Sequence, residues 1–92
     1  VIEAERVEGT DKLVRLEIDL GTEKRQIVAG IAQFYTPDEL VGKHIVVVAN
    51  LEPARIRGIE SRGMLLAGST EDRKELAIIT VDKPLSKGAR VR

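Results

Sequence analysis

An alternation of apolar and charged residues near the start of the chain constrains the fold more than any other feature. From position 14 to position 20 every second residue is Val, Leu or Ile, and the residues between them are charged. A period of two places all the apolar side chains on one face of a β-strand whose other face meets water. A short turn at Gly21 and Thr22 follows. Residues 23–30 are therefore predicted to form the returning strand of an antiparallel hairpin.

Other segments also have the composition of strands. Residues 43–50 form a β-branched run, which predicts a strand buried on both faces. Residues 63–69 and 76–82 predict two more strands, and the polar sequence between them predicts a hairpin loop. Weaker patterns predict a first strand in residues 1–8 and a short closing strand in residues 88–92.

One short helix is signalled between the third and fourth main strands. Thr36 and Glu39 have the spacing of a capping box, Pro37 suits the first helical position, and Gly42 ends the pattern, which predicts about two turns. Short strands at even spacing favour a small closed barrel. The order of elements predicts one all-β domain over residues 1–92. Its expected architecture is a five-stranded antiparallel barrel of the OB-fold type, with extra short strands or loops.

The composition excludes most kinds of catalytic and metal site. The chain has no cysteine and a single histidine, so thiolate nucleophiles, cysteine zinc sites and clusters of histidine ligands are excluded. His44 opens a β-rich run, where a surface histidine is ordinary. We therefore expect no catalytic residue, no cofactor and no metal, and we expect that the chain is not an enzyme. No apolar run approaches the roughly 18 residues of a membrane-spanning helix, so no membrane partner is expected.

The charge distribution leaves nucleic-acid binding open as a local property only. Fifteen basic and fifteen acidic residues give a net charge of zero, which argues against binding by bulk charge. Three arginines, at 55, 57 and 62, nevertheless lie on a stretch punctuated by Pro53 and two glycines. Arginine pairs bidentately with phosphate. Two glutamates reduce the net charge of residues 50–63 to +1, so plain solvent exposure of these arginines is an equal alternative.

The same stretch carries a recognisable motif, which consists of ANL at 49–51, PA at 53–54, RG at 57–58 and SRGMLLA at 61–67. On these residues the chain resembles the tRNA-binding domain of aminoacyl-tRNA synthetases, which occurs at the C-terminus of methionyl-tRNA synthetase, as its free-standing β-subunit form and in structure-specific tRNA-binding proteins. The resemblance covers nearly the whole chain, and residues 5–21 look most like the archaeal version. Family members often begin before the position of Val1 and continue beyond that of Arg92, and those ends commonly contribute to dimerisation.

The resemblance implies a non-catalytic module that binds tRNA through its shape and backbone and supplies affinity to a synthetase, a methionine–tRNA ligase. It also implies a homodimer in the cytoplasm. The alternative is a dimerisation or protein-interaction module whose RNA binding is incidental. Met64 is either a core anchor or a contact to the ligand, and the hydroxyl of Ser61 is expected to donate to a phosphate or ribose. The expected tRNA contacts are Lys12, Lys24, Arg25, Asn50, Arg55, Arg57, Ser61 and Arg62.

The sharpest expectation concerns Arg57. If residues 55–57 are extended and Ile56 points into the barrel, Arg55 and Arg57 point outward together. Gly58 then leaves space for a phosphate. We therefore expect Arg57 to contact the tRNA backbone, and Arg57→Ala to weaken binding by about 1–2 kcal/mol. The free energy of unfolding should change by no more than about 0.5 kcal/mol.

Overall fold

The computed structural model describes all residues, Val1–Arg92, and they form an almost entirely β structure with one helix. The predicted all-β class with one short helix is confirmed, whereas closure of the strands into a barrel stays a prediction. The single helix has four residues, and no helix is long and apolar enough to cross a membrane. The elements are β1 (Glu3–Arg6), β2 (Val14–Asp19), β3 (Lys24–Ala29), α1 (Pro37–Leu40), β4 (Val47–Val48), β5 (Ala54–Ile56), β6 (Ile59–Ser61), β7 (Met64–Leu65), β8 (Ala67–Ser69) and β9 (Leu76–Ile78).

The first three strands form an antiparallel sheet in the order β1-β2-β3, and its inner face carries the core. The alternation in β2 has the predicted effect, because its three aliphatic residues are buried and its three charged residues are half-buried. Leu16 lies opposite Ala4 on one side and Ile27 on the other. The predicted hairpin is confirmed, and its turn is closed by a bond from the backbone N–H of Leu20 to the carbonyl of Glu23 at 2.9 Å.

The helix is fixed at its start by the predicted capping box. The N–H of Glu39 donates to Oγ1 of Thr36 at 3.4 Å, and the N–H of Thr36 donates to Oε2 of Glu39 at 3.0 Å. The helix is shorter than the predicted two turns, and it delivers the fully buried Leu40 to the core. The core cluster is aliphatic throughout and consists of Val14, Leu16, Ile18, Ile27, Ala29, Ile31, Ala32, Leu40, Leu65 and Ile78.

Residues 43–50 differ from the prediction of a strand buried on both faces. Only Val47–Val48 form a strand, and the side chains of residues 45–48 are half-buried. Ile45 and Val47 pack against the core. A run whose composition predicts full burial on both faces is therefore only partly buried along its length.

The strand predicted over residues 63–69 changes partner at Leu66. Before it, β7 pairs with β4, and after it, β8 pairs with β9. The N–H of Leu66 donates to the carbonyl of Val46 at 2.8 Å, while its own carbonyl accepts from the N–H of Ile79 at 3.0 Å. Leu66 thereby connects both pairings into one run.

The C-terminal part contains less strand than predicted. The last strand ends at Ile78 instead of position 82, and residues 88–92 form no strand, so the predicted closing strand is wrong. Every residue from 82 to 92 is exposed, which leaves this segment without an apolar face to bury. The Nζ of Lys87 lies 3.4 Å from Oδ2 of Asp19, an ion pair at the β2–β3 turn.

Candidate nucleic-acid interface

The arginine-rich stretch forms a tight hairpin of β5 and β6. Ile56 pairs with Ile59, and the two residues between them have positive φ angles of 55° at Arg57 and 80° at Gly58. Positive φ at both central positions is the pattern of a type I′ turn, whose twist matches that of the flanking strands. Arg57 is therefore not extended, and the reasoning that placed Arg55 and Arg57 on one face of a strand is wrong. Gly58 is required by its φ angle.

The tip of this hairpin meets the loop between β1 and β2. Nη2 of Arg57 donates to the carbonyl of Gly9 at 3.0 Å, and Nη1 of Arg55 donates to the carbonyl of Gly58 at 3.0 Å. Lys12 lies on the same β1–β2 loop as Gly9. We call Lys12, Arg55 and Arg57 the hairpin tip. All three are exposed, and none takes part in any of the five ion pairs of the chain.

The other end of the hairpin holds Arg62 by its backbone. The N–H of Arg62 donates to the carbonyl of Gln26 at 2.9 Å, and the carbonyl of Arg62 accepts from Nη1 of Arg25 at 3.3 Å. The Arg62 side chain is 47% exposed, and its Nε lies 3.9 Å from Oε1 of Glu60. We call Lys24, Arg25, Asn50 and Arg62 the hairpin base. Within the hairpin base, the side chain of Arg62 is exposed enough to reach a ligand, although the main chain of this residue is fixed.

Arg25 connects neighbouring segments through the hydrogen bonds of its side chain and is not a free surface cation. It lies opposite Ile18, on the core side of β3, and its side chain is only 18% exposed. Its Nη1 reaches the carbonyl of Ala49 at 2.5 Å, which draws Asn50 toward the base, and its Nη2 lies 2.8 Å from Oε1 of Glu23. The hydrogen bonds from Arg25 hold the pKa of Glu23 below its ordinary value. Most of the guanidinium is thus already occupied by protein acceptors.

Ser61 lies inside the protein, contrary to the expectation that it contacts RNA. It is 3% exposed, and its Oγ accepts from the N–H of Val28 at 3.0 Å and donates to the carbonyl of Gly63 at 3.0 Å. A hydroxyl has a single proton to donate. That proton is used within the protein, so this arrangement has no donor left for a phosphate or ribose.

The signature residues after Ser61 also serve the fold. Gly63 has a φ of 135°, and a Cβ at this position would lie 3.0 Å from the carbonyl oxygen of Val48. Its lack of a side chain therefore allows close packing against β4. Met64 is half-buried and packs against the core cluster, which favours the core-anchor interpretation.

A polar groove of about 340 Å³ lies at the hairpin base. A chain of hydrogen bonds crosses it from β2 to β6. Nη1 of Arg15 donates to Oε1 of Gln26 at 3.4 Å, and Nε2 of Gln26 donates to the carbonyl of Glu60 at 2.8 Å. Arg15 is also paired with Glu5 at 2.6 Å, which raises the pKa of Arg15. The groove is lined by Arg15, Glu17, Lys24, Arg25, Gln26 and Arg62.

A larger groove of about 930 Å³ lies between the α1 region and the β8–β9 hairpin. It contains the only two aromatic residues, Phe34 and Tyr35, and Nζ of Lys43 lies 5.8 Å from the centre of the Tyr35 ring. None of the eight expected contact residues lines it. The sequence analysis missed this groove, although the adjacent aromatic pair in an otherwise aliphatic chain is a signal that could have indicated it.

Similar proteins include both enzymes of translation and a chaperone. The chain is 63% identical over 91 residues to a methionine–tRNA ligase of Thermotoga maritima, and the match covers 99% of this chain but 14% of that protein. A crystal structure of a MetRS-related protein from Pyrococcus horikoshii matches with a TM-score of 0.93 and 44% identity over 100% of this chain and 84% of the other. The chaperone CsaA from Bacillus anthracis matches with a TM-score of 0.89 and 31% identity, at the same coverage.

The resemblance is not confined to archaeal sequences, because the bacterial Thermotoga protein matches at 63% identity. The match spans about one seventh of the curated ligase, so only a part of that protein corresponds to this chain. The sequence model of the family described as "Putative tRNA binding domain" matches residues 1–90, which is nearly the entire chain. The chain therefore belongs to this family of tRNA-binding domains.

Proposed function

We propose that this domain binds tRNA through the hairpin base, with Arg62 and Lys24 on phosphates of the RNA backbone and the hairpin tip as a flanking contact. The observation that carries the proposal is the state of Arg62, whose main chain is bonded on both sides while nearly half of its side chain is exposed. A residue whose main chain is already fixed loses less freedom when a ligand binds. Its guanidinium matches the geometry of a phosphate.

The groove at the hairpin base supports recognition of the backbone in preference to bases. All of its lining residues are polar, and it contains no aromatic ring on which a base could stack. Arg15 and Arg25 are paired with carboxylates at 2.6 Å and 2.8 Å, whereas Arg62 lies 3.9 Å from its carboxylate partner Glu60. Lys24 and Arg62 are therefore the cations most available to a phosphate. Contacts to phosphates fix the position of an RNA but do not read its sequence. The domain should therefore bind tRNAs of different anticodons with similar affinity.

A salt titration of tRNA binding tests this proposal. Each neutralised phosphate contributes about 0.9 to the slope of log affinity against log salt. Contact by Lys24 and Arg62 alone therefore predicts a slope near about −2, and contact by these two together with the three cations of the hairpin tip predicts a slope near about −4.5. The exposed Lys74 on the β8–β9 loop offers a control, because Lys74→Ala removes the same charge from another hairpin. Absence of tRNA binding would favour the alternative of a pure protein-interaction module.

We assign the domain a supporting role for an enzyme that acts elsewhere in a longer protein, in the cytoplasm. The assignment is supported by the 14% of the Thermotoga ligase to which the chain corresponds, and by the family to which the chain belongs. In a methionine–tRNA ligase that carries the domain, its deletion should raise the KM for tRNA and leave the kcat of aminoacylation nearly unchanged. An equal loss of kcat would contradict a purely binding role.

The proposal includes a homodimer. Val46, Leu66 and Ile79 are neighbours across adjacent strands, and Leu66 and Ile79 are 42% and 47% exposed. Cross-strand neighbours of this kind form one continuous apolar row. A second copy is the occupant favoured here, because an uncharged aliphatic row can pack against its own symmetry mate.

The oligomeric state is tested by sedimentation. The wild-type domain should sediment at twice its mass of 10.1 kDa, and Leu66→Lys should shift it to the monomer. Leu85 is more exposed, at 58%, and lies outside the apolar row, so Leu85→Lys serves as the matched control. A wild-type monomer at high concentration, or a dimer that survives Leu66→Lys, would overturn this interface.

A further inference from the structure

We infer that Ser61 is a positioning residue for RNA binding, which never touches the RNA and acts on affinity only through Arg62. The inference rests on the proposed function of the hairpin base. It departs from the expectation that the Ser61 hydroxyl is itself a ligand-binding group. Ser61, the serine of the family motif, instead holds its sequence neighbour Arg62 in position.

The hydroxyl of Ser61 replaces a main-chain bond between two strands. One regular bond joins β3 to this segment, from the N–H of Arg62 to the carbonyl of Gln26. At Val28, two residues along β3, the backbone N–H donates to the side chain of Ser61 and not to a carbonyl. The same hydroxyl donates to the carbonyl of Gly63 and so crosses the connection between β6 and β7. One side chain therefore fixes the residues on both sides of Arg62.

The two hydrogen bonds of the Ser61 hydroxyl determine the direction in which the Arg62 side chain points. Residues 61 and 63 are buried, whereas residue 62 between them is exposed, so the backbone turns Arg62 outward at this point. Removal of the hydroxyl leaves the buried N–H of Val28 and the carbonyl of Gly63 without these partners. Since unpaired buried polar groups are unfavourable, the segment should shift to recover water or another partner. Arg62 would then lose its fixed direction.

A double-mutant cycle of Ser61 and Arg62 tests the inference. The four proteins are the wild type, Ser61→Ala, Arg62→Ala and the double variant, and tRNA dissociation constants are measured by fluorescence anisotropy where circular dichroism shows every variant folded. We expect Arg62→Ala to weaken binding about tenfold, in the range of one charge-assisted hydrogen bond. Ser61→Ala alone should weaken binding about fivefold. The double variant should bind like Arg62→Ala, because Ser61 has no effect once the arginine is absent.

Three outcomes would overturn the inference. A double variant weakened by about the product of the single effects, about fiftyfold, would show that Ser61 contributes independently of Arg62. An unchanged affinity of Ser61→Ala would show that the hydroxyl positions nothing. An unchanged affinity of Arg62→Ala would overturn the proposed binding site together with this inference, which distinguishes that failure from the first.

A second cycle separates positioning from general damage to the fold. Ser61→Ala combined with Arg57→Ala should show additive effects, because Arg57 lies at the hairpin tip and its contact is with Gly9. Non-additive effects with both arginines would mean that Ser61 acts on the whole domain, and would overturn a specific role. If Ser61→Ala does not fold, Ser61→Cys takes its place in both cycles, because a thiol of similar size forms only weak hydrogen bonds. Ser61→Thr, which retains the hydroxyl, should restore most of the affinity.

Discussion

The two ends of the β5–β6 hairpin each carry an exposed arginine, but the two arginines differ in the bonds that support them. At the tip, Arg57 lies in a two-residue turn and is held by one hydrogen bond to Gly9. At the base, Arg62 is bonded through both its N–H and its carbonyl, and Ser61 fixes the backbone beside it. Exposure alone therefore does not distinguish a binding residue from a solvated one. In the proposed site, the backbone bonds that support Arg62 make the distinction.

The two ends also differ in how their charges are balanced. No cation of the tip takes part in an ion pair, whereas at the base Arg25 is paired with Glu23 and Arg62 lies near Glu60. Unpaired cations attract an RNA over a distance of about a Debye length, which is roughly 8 Å at physiological salt. The tip is thus suited to attracting the backbone, and the base to holding it in one geometry.

The largest expected losses of stability come from substitution of the glycines at the two ends. Gly63→Ala should lower the free energy of unfolding by about 2–4 kcal/mol, because it combines an unfavourable φ with overpacking against Val48. Gly58→Ala should cost only about 1–2 kcal/mol, since its φ is positive but nothing lies within 4 Å of the added Cβ. Urea denaturation of both variants measures the difference. Equal losses would show that the base is no more tightly packed than the tip.

Smaller losses of stability are expected at Arg25 and Arg57. Arg25→Ala should lower the free energy of unfolding by about 1.5–3 kcal/mol, because the carbonyl of Ala49 loses a charged donor. Arg57→Ala should change it by no more than about 0.5 kcal/mol, as for an exposed surface residue. Thermal denaturation followed by circular dichroism provides both values. A variant at Arg57 that melts as early as Arg25→Ala would show that the contact to Gly9 is also structural.

The sequence predicted those features that are determined by residues close together in the chain, and it missed those that depend on distant residues. The alternation in β2 and the capping box at Thr36 are determined by neighbours within a few residues, and the structure has both. The turn at Arg57 was missed because a left-handed arginine before a glycine has no strong local signal. The inward direction of Arg25 follows from its register opposite Ile18, which only the paired strands reveal.

The candidate site depended still more on contacts between distant residues. The motif indicated the stretch that carries the proposed site, but Ser61 and Arg62 are adjacent and have opposite burial. The burial of Ser61 follows from its bond to Val28, which lies 33 positions away in the sequence. No periodicity within residues 50–67 contains that information. For the same reason the partial burial of residues 45–48 could not be recognised from their composition.

The smallest expected effect is a change in the stability of the fold at acidic pH. Arg25 holds the pKa of Glu23 below its ordinary value. The pair therefore stabilises the fold at any pH above the pKa that Glu23 has in the unfolded chain. That contribution is lost as the pH falls through the lowered pKa of the folded state. The stability difference between the wild type and Glu23→Gln should therefore be constant near neutral pH and disappear under strongly acidic conditions. The effect of Arg57→Ala should not follow this profile, because its acceptor is a carbonyl.

The central claim is that the base of the hairpin, and not its tip, holds the RNA. The decisive measurement compares tRNA dissociation constants of Arg62→Ala and Arg57→Ala under one salt condition, with Lys74→Ala as the control for loss of charge. We predict that Arg62→Ala weakens binding about tenfold, equivalent to about 1.4 kcal/mol, and that Arg57→Ala weakens it about threefold. Lys74→Ala should leave it nearly unchanged. A larger loss for Arg57→Ala than for Arg62→Ala, with both proteins folded, would contradict the central claim and place the main contact at the tip.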